Sequence, residues 1–486
     1  MAAIQDISNS PVSINFNLAA DGLATSSLAA DGLATSSLAA DGLATSSLAT
    51  SSLATSSLAT SSLAADGLAT SSLATSSLVA DGLATSSLAA GGGELSSTQT
   101  KKRKKTPSIS GMQHIGGKQN KSNQDAMFIK ELADNFRILA IFDGHSRHHL
   151  DTGNIISNYA VYLLDQITSK EDFIEEFRAN PKSTIGKIYN LIQQDIKLKL
   201  IEEYTKHGYT VIERDGKLFV ETGSSLSIIR GGTTASIVFI DDKRIFCSNI
   251  GDSEIFCSEP LDFQITDLKK LSDSPAEDFA HFIETLPILH DRTQVPMGNH
   301  SPDNPDEIIE LNRKGIMPVY DSQTGNRRPL FRINPINKQL ILDSEGKLIT
   351  EPKPPGSYIK NTSDELALLI ESYQQITRDR HYLAMTRAFG DFPLDIPFMP
   401  TLYDGVILDS SIIIVCSDGV WDIIKKDEMN TYLRKFTEDY HSSDDINESI
   451  SLAEYIANKI IEYTLQFGIP IFGSSLDNIS CVVYCA

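Results

Sequence analysis

Phe136-Arg-Ile-Leu-Ala-Ile-Phe-Asp-Gly-His145 decides the fold class. Its first seven residues set one charge among bulky apolar side chains, the mark of a strand buried on both faces. The run then stops at an acid, a glycine and a histidine. The same shape returns twice near the C-terminus. Ser411-Ile-Ile-Ile-Val-Cys416 leads into Ser417-Asp418-Gly419, and Asp477-Asn478 precedes Ile479-Ser-Cys-Val-Val-Tyr-Cys485. If the third strand runs antiparallel to the other two, Asp143, Asp418 and Asp477 meet at one edge of one sheet. Converging carboxylates repel unless cations hold them, so oxygen-preferring divalent metals are the expected partners.

Outward from these runs, strand patterns cover 126–130, 136–142, 233–240, 244–250 and 253–258. Gly251-Asp252 joins the last two as a tight hairpin signal. Helical periodicity predicts a helix over 153–168, with Ile155, Tyr159, Leu163 and Ile167 as its apolar stripe. A second is expected over 184–206, carried by Ile188, Ile192, Ile196 and Leu200. A third is expected over 447–467, stopping at Gly468. Clustered strands with helix pairs between them predict an α+β layered domain, not a doubly wound one. Residues 259–381 show no clear period and are rich in Pro, Asp and Asn. They read as a long excursion over the edge that carries the acids.

The 486 residues carry a net charge of −21, which argues against nucleic acid as a partner of the surface as a whole. Residues 1–100 hold seven acidic side chains and no Lys or Arg, leaving −14 for the remainder. The five cysteines form no zinc-like spacing and no CxxC pair, which suits reduced, packed thiols in a reducing compartment. No secretory signal and no membrane-length apolar run is visible. The expected setting is therefore intracellular, cytoplasmic or nuclear, without membrane association. Lys101-Lys-Arg-Lys-Lys105 can be a weak nuclear import signal or an anion-binding patch, but a solvated linker is the favoured reading.

Residues 18–87 repeat Leu-Ala-(Ala/Thr)-(Asp/Ser)-(Gly/Ser), with Val79 an exception. Five residues match neither helix nor strand period, and one Leu per repeat gives little to bury. The repeat reads as a disordered low-complexity extension; a small β-solenoid is the alternative, but its lumen would lack bulk. The expected division is an extension and basic linker at 1–105 and a folded domain at 106–486, with an insertion around 259–381.

Seven segments in order then give a resemblance. They are Ser122-Asn-Gln-Asp-Ala126, Phe142-Asp-Gly-His145, Gly232-Thr-Thr-Ala235, Asn249-Ile-Gly-Asp-Ser253, Leu383-Ala-Met-Thr-Arg-Ala-Phe-Gly-Asp391, Ser417-Asp-Gly-Val-Trp-Asp422 and Asp477-Asn478. The chain from about residue 110 onward resembles the metal-dependent Ser/Thr protein phosphatases of type 2C. The resemblance implies a β-sandwich of two antiparallel sheets flanked by helix pairs. It implies two Mn²⁺ or Mg²⁺ ions at one end, with Asp143 bridging both. Asp418 and Asp477 complete the protein ligands of the first ion, the Gly144 carbonyl reaches the second, and Asp125 holds metal-bound waters. Asp252 matches the position of a third, weaker ion and equally suits a hairpin turn. Asp391 reads as a structural residue at a flap edge, Trp421 as core, and Gly232–Ala235 as a tightly packed strand entry.

The implied reaction is hydrolysis of phosphoserine and phosphothreonine in proteins by a metal-bridging hydroxide, with His145 protonating the leaving alkoxide. Its partners are phosphoprotein substrates, and the family norm is monomeric. Three departures matter. Asn120 stands where the family places a phosphate-gripping Arg, with Lys118, Lys121 and Arg147 as nearby substitutes. Ser146-Arg147-His148-His149 replaces glycines, and Gln124 replaces a common Glu. The competing expectation is a catalytically weak pseudophosphatase that serves as a phosphoprotein-binding scaffold.

Overall fold

The computed structural model describes residues 107–117, 122–133, 135–146, 148–214, 216–223, 225–270, 282–284, 289–294, 300–313, 315–322, 327–337, 339–354, 357–363, 383–443, 446–447 and 449–486. The pentapeptide repeat, the 101–105 cluster, Lys118, Asn120, Lys121 and Arg147 lie outside the described residues.

The core strands are β1 (Ser108–His114), β2 (Asp125–Glu131), β3 (Phe136–His145), β4 (Gly232–Thr233), β5 (Ala235–Asp241), β6 (Arg244–Ile250), β7 (Glu254–Cys257), β8 (Leu261–Lys270), β9 (Phe389–Gly390), β10 (Thr401–Val406), β11 (Ile412–Cys416) and β12 (Ile479–Cys485). The helices are α1 (Thr152–Thr168), α2 (Phe173–Ala179), α3 (Pro181–Lys206), α4 (Pro305–Arg313), α5 (Asp418–Trp421), α6 (Lys426–Ser442) and α7 (Leu452–Phe472). A smaller sheet runs β1-β12-β11-β7, and a larger one contains β8-β10-β6-β5-β3-β4-β9, with β2 on β3. The pairings are antiparallel throughout.

Strand alternation builds the layers. On β3, Leu139 and Ile141 meet Val415 and Val482 of the smaller sheet in the core between the sheets. Phe136, Ile138, Ala140 and Phe142 point the other way, into the core shared with α1 and α3. On β11 and β12, Ile414, Cys416, Ile479 and Cys481 face α6 and α7. The result is helices, sheet, sheet, helices, in which period-2 patterning buries both faces of each central strand. That explains the continuous apolar runs in the sequence. It also corrects one expectation: β3 lies in the larger sheet and β11 and β12 in the smaller. A run buried on both faces fits either sheet, so the pattern could not assign them. The acids meet across the sandwich, not along one sheet edge.

Helix ends follow local chemistry. Asn180 caps α3, its side chain accepting from the Ser183 amide, with Pro181 in the first turn. Ser451 caps α7 by accepting from the Glu454 amide. On α1 the deeply buried face is Ile156, Ala160, Leu163 and Leu164, while Ile155, Tyr159 and Ile167 are only partly buried. The stripe is thus rotated from the expected one. The expected stripe of α3 is buried as read. Helix α7 runs through Gly468 instead of stopping there. A Cβ at 468 would sit 2.8 Å from Leu476, so this glycine serves close packing, and the helix ends at Gly473 with φ 54.

Leu261–Lys270, inside the stretch without clear period, is a strand of the larger sheet paired to β10. Leu261, Phe263 and Ile265 alternate there with Asp262, Gln264 and Thr266, a period-2 strand signal that the reading of 259–381 as lacking a period passed over. All five cysteines are buried and free. Among the described residues, no helix is long and apolar enough to cross a membrane.

Candidate metal centre and acid–base pair

Five aspartates come together at one end of the sandwich. Asp125 opens β2 directly opposite Asp143 near the end of β3. Asp143 is fixed through its backbone: its amide donates to Thr234 Oγ1 at 3.1 Å, and its carbonyl accepts from the Thr234 amide at 2.9 Å. Thr234 Oγ1 lies 2.8 Å from Ser253 Oγ, beside Asp252 at the β6–β7 turn. The Gly232–Ala235 segment is thus a strand entry, as read.

From the smaller sheet, Asp418 starts α5 and Asp477 precedes β12. Antiparallel pairing of β11 with β12 sets Cys416 opposite Cys481 and so brings the two acids to the same end. The Ser480 amide donates to Ser417 Oγ at 3.0 Å, and the Ser417 amide to the Ser480 carbonyl at 3.1 Å. Asn478 ties this half to the other through its Oδ1, which accepts from the Gln124 amide at 2.9 Å, while its Nδ2 donates to the Ile115 carbonyl at 3.2 Å just past β1 of the same sheet.

The charges interact strongly. Burial, and then Asp418, Asp125, Asp252 and Asp477, push the Asp143 carboxyl well above its ordinary pKa. Burial, with Asp252, Asp477, Asp422 and Asp125, does the same to Asp418. Asp252 is raised by burial and by Asp422 and Asp477, while His145 opposes the rise. Among the described residues no three His, Cys, Asp or Glu side chains are drawn together into a ready ligand group. Like charges influence one another well beyond coordination distance.

One observation fits a hard cation. Asp252 Oδ1 is buried with no hydrogen-bond partner among the described residues, a costly state for a carboxylate oxygen. A Cβ at Gly144 would stand 2.4 Å from the Gly153 carbonyl and 2.5 Å from that of Gln124, so only glycine fits there. The donors gathered here are all oxygen, which suits Mg²⁺ or Mn²⁺.

Beside the acids, His145 Nε2 lies 2.5 Å from Asp391 Oδ2, and Nδ1 is buried without a hydrogen-bond partner among the described residues. Burial opposes the charged imidazole, but the charge and hydrogen bond of Asp391, with Asp252 behind, outweigh it and raise the His145 pKa. Asp391 is wholly buried and holds φ 45, an uncommon conformation for a residue other than glycine. Its carboxylate fits because residue 232 has no side chain: a Cβ there would be 2.1 Å from Oδ2. The flap-edge reading of Asp391 missed this contact, which spans 246 positions and leaves no local signal. Asp422 was also passed over, although four residues after Asp418 places it on the same helical face. Trp421 is partly buried and packs against the core, with Phe256 at 6.3 Å between ring centroids.

The segment carrying Asp391 is anchored upstream. Arg387 donates to Glu307 of α4 from Nε at 2.9 Å and Nη2 at 2.5 Å, and to Asp267 of β8 at 2.7 Å. Burial and Arg387 hold His300, in the same cluster, down to about 3.

The sequence profile of the family described as protein phosphatase 2C matches residues 368–466. Over 354 residues the chain is 24% identical to "Probable protein phosphatase 2C 28" of Arabidopsis thaliana, covering 72% of this chain and 64% of that protein. The chain thus spans 64% of the length of this curated relative. Among solved structures it is similar to serine-threonine phosphatase 2C from Toxoplasma gondii, at 13% identity and TM-score 0.47, over 78% of this chain and 94% of that one. It is also similar to the catalytic domain of the serine threonine protein phosphatase PstP in complex with 2 manganese ions, at 14% identity and TM-score 0.38, over 78% of this chain and 97% of that one. By profile over residues 368–466 and by sequence, the chain is thus similar to proteins described as protein phosphatase 2C.

Proposed function

We infer that the chain is a metal-dependent protein serine/threonine phosphatase, with residues 106–486 as its catalytic unit and 1–105 as an extension. The observation that carries this reading is the convergence of Asp125, Asp143, Asp252, Asp418 and Asp477 beside the His145–Asp391 pair. Asp143 would contact two ions, Asp418 and Asp477 one of them, and the Gly144 carbonyl the other. Asp125 would act through waters, and Asp252 would hold a weaker third ion. Bound there, Mn²⁺ or Mg²⁺ would offset the negative charge of the phosphate and bring the pKa of a shared water near neutrality.

The chain's own residues supply the proton. Asp391 engages Nε2 of His145 and stabilises its protonated form, which leaves the Nδ1 proton as the one to be given to the departing serine or threonine oxygen. A positioned acid of this kind is worth ~10²–10⁴-fold in rate for a poor leaving group. The cluster of like charges disfavours a dianionic phosphate until cations are bound, so turnover should require them. The test is release of phosphate from a phosphothreonine peptide by the full chain. Turnover with Mn²⁺ that stops on chelation supports the reading. Phosphopeptide binding without turnover would favour the scaffold reading instead.

A further inference from the structure

We propose that Gln124 is the positioning residue that joins the two acid-bearing sheets, and that it works as an amide because Asp151 already supplies the carboxylate facing it. The proposal rests on the reading of the acidic end as a metal site. Gln124 is buried and engaged from both ends. Its amide N–H donates to Asn478 Oδ1 at 2.9 Å, next to Asp477 of the smaller sheet. Its carbonyl accepts from the Gly144 amide at 3.1 Å and from Ser157 Oγ at 2.6 Å, on the larger sheet and α1. The backbone of one residue therefore sets Asp477 against Asp143 and Gly144.

The side chain locks the same junction. Gln124 Nε2 donates to Asp151 Oδ1 at 2.7 Å and to the Ser146 carbonyl at 2.9 Å, next to His145. Ser122 Oγ donates to the other oxygen of Asp151. A carboxylate in place of this amide would stand against the Asp151 carboxylate across the 2.7 Å contact and against the Ser146 carbonyl. Such groups behind a metal shell orient the residues in front of them, and their loss typically costs ~10–100-fold in metal affinity.

The test uses the full chain with Gln124→Glu, Asp151→Asn and the double variant. Two quantities are read: the Mn²⁺ dissociation constant by calorimetry and the melting temperature of the metal-free protein. Gln124→Glu should weaken Mn²⁺ binding by ~10–100-fold and lower the melting temperature. The double variant reverses the pair, so that a side-chain amide at position 151 donates to a carboxylate at position 124. It should recover part of both losses, because the Ser146 carbonyl keeps the Gly153 amide at 3.1 Å as a donor. Parent-like behaviour of Gln124→Glu overturns the proposal, and so does a double variant no better than the single one. If Gln124→Glu does not fold, Asp151→Asn should lose less Mn²⁺ affinity than Asp151→Leu, because its oxygen still accepts from Gln124. Equal losses overturn the proposal. A parent chain that binds no Mn²⁺ would defeat the functional reading instead, and the melting temperatures would still decide the pairing.

Discussion

Replacing Glu307 by Gln should destabilise the protein in a pH-dependent way. Burial alone would raise the Glu307 carboxyl, but the charge and hydrogen bonds of Arg387 outweigh it and hold the pKa at about 2, against an ordinary 4.5. That difference corresponds to ~3 kcal/mol of stability at neutral pH. The sign follows from the depressed value. The contribution is fully present above about 4.5 and fades as pH falls toward about 2. His300, held at about 3 from an ordinary 6.5, adds acid sensitivity below pH 6.5, since the unfolded chain takes up its proton first. Glu307 itself raises the His300 pKa, so in the variant His300 is held lower still and adds a small part to the gap near and below pH 3. Glu307→Gln leaves Arg387 buried with Asp267 and the Met399 carbonyl as partners. Urea unfolding of the full chain should therefore show the variant weaker by ~3 kcal/mol at pH 7, with the gap narrowing at pH 4 and only about a quarter of it left at pH 2.5. An equal gap at pH 7 and pH 2.5 would assign the loss to packing and refute the charge argument, as would no gap at pH 7. Because Asp391 lies four residues after Arg387, turnover should also fall more than Mn²⁺ affinity.

Three further outcomes are expected. His145→Ala should lose ~10²–10⁴-fold with phosphothreonine and much less with p-nitrophenyl phosphate, whose leaving group needs no proton; equal losses on both substrates would remove His145 from the acid role. Asp391→Asn removes the charge that raises the His145 pKa, so the alkaline limb of the turnover–pH profile should move to lower pH; an unmoved limb would disconnect the pair from catalysis. Asp143→Asn should raise the melting temperature of the metal-free protein at pH 7, because a carboxyl whose pKa is raised by burial and by neighbouring acids costs stability as pH rises above its ordinary value. The same variant should lose the stabilisation that added Mn²⁺ gives the parent, and a lower metal-free melting temperature would count against crowding of the acids.

The sequence displayed the chemistry more clearly than the scaffold that aims it. Both-face burial marked β3, β11 and β12, and the acids at their ends were legible because turns there carry few other residues. Which sheet each strand joins was not legible, since helix-facing and sheet-facing positions are equally apolar. The Asp391–His145 contact was hidden for a different reason. It depends on three tightly packed glycines, Gly231, Gly232 and Gly390, whose meaning appears only when distant strands meet. Gln124 looked like a lost charge until Asp151 was seen beside it. Gly468 looked like a helix stop because a local rule was applied where a tertiary contact with Leu476 governs.

The most direct measurement is anomalous diffraction at the manganese edge from crystals grown with Mn²⁺. Two peaks flanking Asp143 are expected, one reached also by Asp418 and Asp477 and the other by the Gly144 carbonyl. A well-ordered site without manganese density between these residues would contradict the account.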